Sequence, residues 1–591
     1  MRDGPACAYH RADSGRGGAK GGAVGMKKRR SQLTLRAAWV IPLLALVTLG
    51  LGTSGWMDRG QSFADALYRS AAMFSYNDVY GGGAGLADWR FQVGRWIGLV
   101  VVFSAALVAL AALLQTQLAL AVARGLRQEV VVIGGDRSAA VAFEAARASE
   151  RSVLWLGAPG ISVSTVRCIA LPWPPGEPAT TVLEHATDAS HVLICETDDA
   201  QSLVLARAAR AAAPLALVTV LMRDVRLAED AAATINEART RVLSRSAISA
   251  RALNLDHPPF LIARELGHAR VHALIVGFGH TGQAIARDLI VNCRTTYLAP
   301  PRITVIDPNA PALEGVFRVR APDVDDSAEF DFIEGEIASG AVSPDPVALA
   351  QAVASAGPIT TAYVCLADDT DALAAAGMLQ ALARAVDIGH PTIFVRLRDS
   401  AVIGGASVER RGLDALHPFG DIDDVLRASE FLSNAPDASA RAFNEAYRRS
   451  LAPQVRDDPA NRSAYPWDRL DETFRQANRD VVAHVPAKLA SAGIEPSLWR
   501  GLRNLPRLTE GALYRDDAEL EVLSELEHER WSAQRRMDGW RWTDQPRKDD
   551  PRRLHPSLIP YQELSDEVKE FDRGNVRETQ AVCWPGGPRS R

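Results

Sequence analysis

HALIVGFGHTGQAIARDL, residues 272–289, decides how the chain is to be read. A nearly unbroken apolar run ends in a G-x-G-x-x-G turn, and apolar positions at helical spacing follow. Such a run indicates a strand buried on both faces of a parallel sheet. The glycines allow a tight turn and close backbone approach, while the helix start offers free N–H groups to a pyrophosphate. RITVIDPN (302–309) supplies the second strand and ends it in Asp307, a carboxylate placed to accept hydrogen bonds from ribose hydroxyls. Gly277, Gly279, His280, Thr281, Gly282 and Asp307 are therefore the candidate cofactor-binding residues, for NAD(H) or an adenine nucleotide. A purely structural glycine turn is the competing reading.

The unit continues through AYVCLADDTDALAAA (362–376) and PTIFVRLRD (391–399), and an earlier stretch repeats its order. EVVVIGG (129–135), SVLWLG (152–157), HVLICETDD (191–199) and LALVTVLMRD (215–224) are again apolar strands between Ala-rich helices. Cys195 aligns with Cys365, Asp199 with Asp369, and Arg223-Asp224 with Arg398-Asp399. Four matches in one order indicate a tandem duplication, two Rossmann-like α/β units over about 128–250 and 268–405. The first unit carries Asp136 at the place of the second glycine, and its second strand ends in Gly157. An acid where phosphates would lie makes this unit a degenerate copy, expected to serve packing or dimerisation.

Outward from the duplication, AAWVIPLLALVTLGLGTSGW (37–56) and WIGLVVVFSAALVALAALL (96–114) carry no charge. About 20 apolar residues cross a bilayer, so residues 36–124 are expected to hold two transmembrane helices. KKRR at 27–30 with Arg36, and Arg124 with Arg127, flank them. The positive-inside rule then puts both termini in the cytoplasm of a cell inner (plasma) membrane protein. A cleaved signal peptide fits less well, because the first run is long and a second follows. Residues 1–35 are a basic, Gly- and Ala-rich segment expected to be disordered, with Met26 a second candidate start beside Met1. In the connecting loop 57–95, Phe63, Leu67, Ser70, Ala71 and Phe74 share one helical face, as a short pore helix between spans requires. The pore-loop candidates are Asn77, Asp78, Val79, Tyr80 and Gly81. Val79 stands where a potassium filter has a glycine, so an unknown filter is expected, with Asp78 able to favour cations.

Two spans followed by paired Rossmann units, with GFGHTG…ITVIDPN…CLADDTDAL, resemble the regulator-of-potassium-conductance family (TrkA N-terminal domains) over about 128–400. The resemblance implies nucleotide or ion binding, pairing into homo-oligomers (dimers or tetramers), and a pull on pore helices. Residues 406–515 read as a helical linker domain, with DDVLRASEFL, ASARAFNEAYRRSL and LDETFRQANRDVVAHVPAKLASAG in helical register. ELEHERWSAQRRMDGWRW…HPSLIPYQELSDEVKEFDRGNVRE, within 516–580, resembles the ryanodine receptor (RyR) repeat domain. That resemblance implies a mainly α recognition module. Trp531, Trp540, Tyr561 and Arg573 are candidate ligand-recognition residues, rimmed by Arg530 and Arg535; the alternative makes the aromatics a small core. Arg479, His484 and Lys488 read equally as a solvated face or an anion site.

The formal charge of −5 over 591 residues, with no basic stripe, argues against nucleic acid as a partner. Six scattered cysteines and twelve histidines form no metal-ligand spacing. No second domain presents a catalytic acid or base to the Rossmann unit, so an enzyme is the weakest reading. The expected function is a ligand-regulated ion channel or ion-transport subunit, for cations, set in membrane lipid and gated by nucleotide, by a signal at the C-terminal module, or by both. The alternative is a non-conducting, membrane-anchored nucleotide sensor acting through partners.

Overall fold

The computed structural model describes residues 40–75, 88–125, 128–160, 162–165, 167–173, 188–235, 239–338, 341–343, 351, 353, 355–385, 391–398, 416–433, 436–502 and 505–585. The chain forms two compact units, residues 1–118 and 119–591.

In the first unit, helix α1 (Val40–Met57) and the Trp89–Leu110 part of helix α3 (Trp89–Gly125) are long and apolar enough to cross a membrane. Helix α2 (Phe63–Ala71) lies between them, with Ser62 capping it by accepting from the Asp65 N–H at 3.2 Å. Glycines on the long helices make room for it. A Cβ at Gly52 would stand 2.6 Å from Ser70 Oγ, and one at Gly94 2.8 Å from Met73 Cε. Ala66, Ser70 and Met73 are accordingly buried, while Phe63 is 62% and Leu67 39% exposed. The expected packed face is thus corrected in part: Ser70 turns inward with Ala66 and Met73, while Phe63 and Leu67 stand outside. Asn77, Asp78, Val79, Tyr80 and Gly81 lie outside the described residues.

The second unit contains two sheets. In the first, β1 (Val130–Ile133), β2 (Val153–Leu156), β3 (Ser162–Thr165), β4 (Cys168–Leu171), β5 (His191–Ile194), β6 (Leu217–Met222) and β7 (Thr240–Ser244) stand in the order β3-β4-β2-β1-β5-β6-β7. All neighbours are parallel except the β3–β4 pair. Helices α4 (Arg137–Ala148), α5 (Asp199–Ala212), α6 (Val225–Ile235) and α7 (Arg245–Asp256) accompany it.

The second sheet holds β8 (Arg270–Val276), β9 (Ala299–Asp307), β10 (Glu329–Glu334), β13 (Thr361–Val364), β14 (Thr392–Arg396) and β15 (Leu416–Phe419), all parallel. A small antiparallel hairpin, β11 (Glu336–Ala338) with β12 (Ala341–Ser343), precedes β13. The order β10-β9-β8-β13-β14-β15 reverses beside β8, whose C-terminal end leads into the glycine turn. Helices α8 (His280–Asn292), α9 (Ala310–Arg320) and α10 (Asp369–Ala385) belong to this half. β15 falls in the stretch expected to be helical linker, because a four-residue edge strand is too short to display a period.

The duplication extends to individual hydrogen bonds. Asp199 accepts the Arg223 N–H at 3.0 and 3.2 Å, and Asp369 accepts the Arg398 N–H at 3.1 and 3.2 Å. The two arginine side chains donate to the Thr197 and Ala367 carbonyls. Asp198 caps α5 and Asp368 binds the Thr370 and Asp371 N–H groups at the start of α10. The repeated Asp-Asp pairs are therefore caps and strand ties.

Helices α7 and α8 pack the two halves together, and α11 (Ala438–Ser450), α12 (Glu472–Ser491), α13 (Asp517–Met537) and α14 (Asp566–Cys583) complete the body. α12 and α13 both lie on α8. Their contact is polar and buried. Glu527 is fully buried, 2.7 Å from Lys488 Nζ and 2.8 Å from Arg530 Nη2. Asp480, equally buried, pairs with Arg251 at 2.7 Å and Arg287 at 3.3 Å. Arg479 pairs with Asp437 and Glu472. This corrects both readings of Arg479, His484 and Lys488, which are neither a solvated face nor an open anion site. Helical spacing cannot disclose that partners on other segments cover a charged face.

Candidate functional site

Three glycines shape the turn at the end of β8 for three different reasons. Gly277 has φ +87°, a conformation that disfavours a side chain. A Cβ on Gly282 would stand 2.3 Å from the Gly277 carbonyl oxygen, so close packing of helix on turn requires glycine there. Gly279 is different: its backbone is extended, and a Cβ would meet no heavy atom within 4 Å. Packing within the chain gives no reason for glycine at this place, and the space beside it is open. Gly279 is also the N-cap of α8 and offers no side-chain acceptor to the first-turn N–H groups. By contrast α4, α5, α7 and α13 are capped by Asp136, Asp198, Ser244 and Asp516. The start of α8 is thus an open, polarised set of donors.

Asp307 ends β9 beside this turn, its Oδ2 accepting from the Phe278 N–H and its Oδ1 from the Asn309 N–H, each at 2.8 Å. The carboxylate braces the turn and keeps further lone pairs for hydroxyl donors. Gln283 Nε2 donates to the Phe278 carbonyl at 3.0 Å, fixing the opposite side. Open space, uncapped donors and a terminal carboxylate together fit a dinucleotide or an adenine nucleotide.

Two neighbours come from the other half of the duplication. Exposed His280 has its Nδ1 3.8 Å from Asp224 Oδ2, and Thr281 Oγ1 lies 3.3 Å from Ser246 Oγ. Sequence identified Arg223-Asp224 as a repeated pair, but its approach to the glycine turn is set by the packing of α7 on α8. In the first half the equivalent place is filled. Asp136 accepts from the Ala139 N–H at 3.1 Å and pairs with Arg245 at 3.1 Å, so the protein's own carboxylate stands where a phosphate would.

The C-terminal candidates divide into two groups. Trp531 and Trp540 converge on the Arg535 guanidinium, 5.7 and 5.3 Å from their ring centres, with His555 edge-on to both. Burial holds the His555 imidazole down at about 4, aided by the Arg535 charge. Tyr561 instead donates to Glu521 at 2.9 Å, and Arg573 pairs with Glu521, Asp566 and Glu570. The expected single pocket is corrected: Tyr561 and Arg573 form a self-satisfied ion-pair cluster. Arg530 is no rim residue but the buried partner of Glu527.

Ser532, His528 and Asp572 have the residue types of a hydrolytic triad, with His528 Nε2 3.3 Å from Ser532 Oγ and Nδ1 3.2 Å from Asp572 Oδ2. However, His528 Nε2 also lies 2.9 Å from the Ile559 carbonyl, which can only accept. The nitrogen therefore carries the proton and cannot act as base toward the serine. This trio is structural.

Residues 515–584 match the RyR domain family. Comparison with curated protein sequences gave no match. Among solved structures, the chain is similar to the GsuK channel bound to NAD, at 13% identity and a TM-score of 0.35 over 72% of this chain and 90% of that one. GsuK bound to ADP is similar at 13% identity and 0.33, over 68% and 97%. The GsuK RCK domain is similar at 11% and 0.33, over 54% and 79%.

Proposed function

We propose that the chain is a subunit of a nucleotide-regulated, cation-conducting channel, a homo-oligomer set in the cell membrane with both termini cytoplasmic. The observation that carries this reading is a pairing within one chain. An uncapped helix start with ligand room at Gly279 occurs together with a short helix wedged between two apolar spans.

NAD(H) or an adenine nucleotide would bring its phosphates to the N–H groups of Gly279, His280, Thr281 and Gly282, and its ribose to Asp307. The bound group supplies negative charge at the positive end of α8. α8 then conveys that event inward, because Arg287 on its buried face pairs with Asp480 of α12 and Asp538 beyond α13. Gating needs a difference in affinity between closed and open arrangements, and a helix tied to other segments at its start and along its buried face can provide it. A central pore of two-span subunits takes about four copies. In sequence, four residues separate Gly125, the end of α3, from Val130, the start of β1.

Recording across planar bilayers tests the proposal. The expected result is discrete cation currents whose open probability depends on ADP or NAD. Silent bilayers under every nucleotide condition would favour the membrane-anchored sensor instead.

A further inference from the structure

A cleft of about 1590 Å3 opens between the first Rossmann-like half, α12 and the segment that follows α13. Twelve arginines and lysines line it against eight aspartates and glutamates. The acids are largely engaged: Asp437 and Glu472 hold Arg479, Asp471 holds Arg462, and Asp550 holds Lys548. Several cations are not engaged with acids in this way. The exposed Arg320 and Arg541 side chains make no hydrogen bond or ion pair among the described residues, whereas Arg251 holds Asp480 through Nη2 and keeps only its buried Nε without an acceptor there. Arg553 donates to the Asp538 carbonyl. Trp540, with Arg535 over its ring, forms part of the wall.

Donors in excess, uncompensated positive charge and an aromatic wall at a junction of segments suit one kind of ligand. We propose that this cleft is a second ligand site, for an organic polyanion of nucleotide class whose phosphates meet Arg251, Arg320 and Arg541 and whose ring lies on Trp540. The site is separate from the glycine turn, whose Gly277, Gly279 and Thr281 do not line it. Its walls come from the first Rossmann-like half (Arg251), from α9 (Arg320) and from the RyR-family segment (Trp540, Arg541), so an occupant ties these three together. The proposal depends on neither conduction nor nucleotide binding at Gly279.

The test is equilibrium binding of ATP and of inorganic tripolyphosphate to the full chain in detergent, in wild type and in Gly279→Asp. Gly279→Asp blocks the turn and leaves the cleft untouched. Both probes are expected to bind the Gly279→Asp protein. Arg320→Glu with Arg541→Glu should then weaken both at least about ten-fold, with unchanged gel-filtration elution because neither side chain has a partner to lose. Trp540→Ala should weaken ATP while sparing tripolyphosphate, since only ATP has a ring to stack. The proposal is overturned if the Gly279→Asp protein binds neither probe, or if the double reversal changes affinity by less than about two-fold.

Discussion

Gly279→Asp transplants into the second unit the residue that the first unit carries at the same place. Gly279 (φ −69°, ψ −161°) and Asp136 (φ −90°, ψ 174°) are both extended N-cap residues, so aspartate suits the backbone. Its Cβ enters open space, and its carboxylate can accept from the first turn of α8, as Asp136 does from the Ala139 N–H. A new cap stabilises by roughly 0.5–2 kcal/mol, partly offset by the nearby Asp307 and Asp224. The unfolding midpoint is therefore expected to hold or rise. Binding should move the other way. Two unit charges about 4 Å apart repel by ~4 kcal/mol at an effective dielectric constant of ~20. That corresponds to about three decades in Kd for a phosphate displaced from its donors. Gly279→Asn, with the same bulk and no charge, should lose only about ten-fold. Calorimetric titration of ADP and NAD into the detergent-solubilised chain, beside thermal melting, reads both effects. Affinity within about three-fold of wild type for Gly279→Asp would refute the placement of phosphate at this turn, as would equal losses in the two variants.

Gly282→Ala should lower stability by roughly 1–3 kcal/mol, seen as a lower melting midpoint, because its Cβ collides with the Gly277 carbonyl while Gly279→Ala meets nothing. Glu527→Gln leaves Lys488 and Arg530 buried with one carboxylate fewer and should cost about 3–5 kcal/mol. Hydrogen exchange in α13 should speed up accordingly, and adding Lys488→Met should recover part of the loss. Burial is the main cause holding the His484 imidazole down at about 4. An unfolded histidine titrates near 6.5, so the unfolded chain takes the proton first. Stability should then fall as pH drops from about 6.5 to about 4, by up to about 3 kcal/mol, and stay level above about pH 7. His484→Asn should remove one histidine's share of that slope in pH-dependent melting, since His555 is held down at about 4 as well; an unchanged slope would remove His484 as a source.

Much of the fold was legible because its signals are local. Apolar runs ending in Gly turns, and the repeated Cys, Asp and Arg positions, located both sheets and their duplication. Gly277 and Gly282 form the tight turn that their spacing suggested and Asp307 ends the following strand, since turn geometry depends on neighbours in sequence. The remainder depends on contacts between distant segments. β15 is a short edge strand whose burial comes from β14. Arg479 and Lys488 look solvated along their helix, and only Asp437 and Glu527 from other segments make them internal. Which face of α2 turns inward was decided by Gly52 and Gly94, residues of the long helices rather than of α2. The approach of Asp224 and Ser246 to His280 and Thr281 arises where α7 crosses α8, which no spacing records.

Cation flux from liposomes holding wild-type or Gly279→Asp protein, with ADP or NAD titrated on the cytoplasmic side, joins the site to the pore in one measurement. Wild-type flux is expected to change at least about ten-fold with nucleotide, and Gly279→Asp flux to be of ordinary size and to ignore it. Liposomes tight under all conditions, or a Gly279→Asp protein that still responds at wild-type nucleotide concentrations, would contradict it.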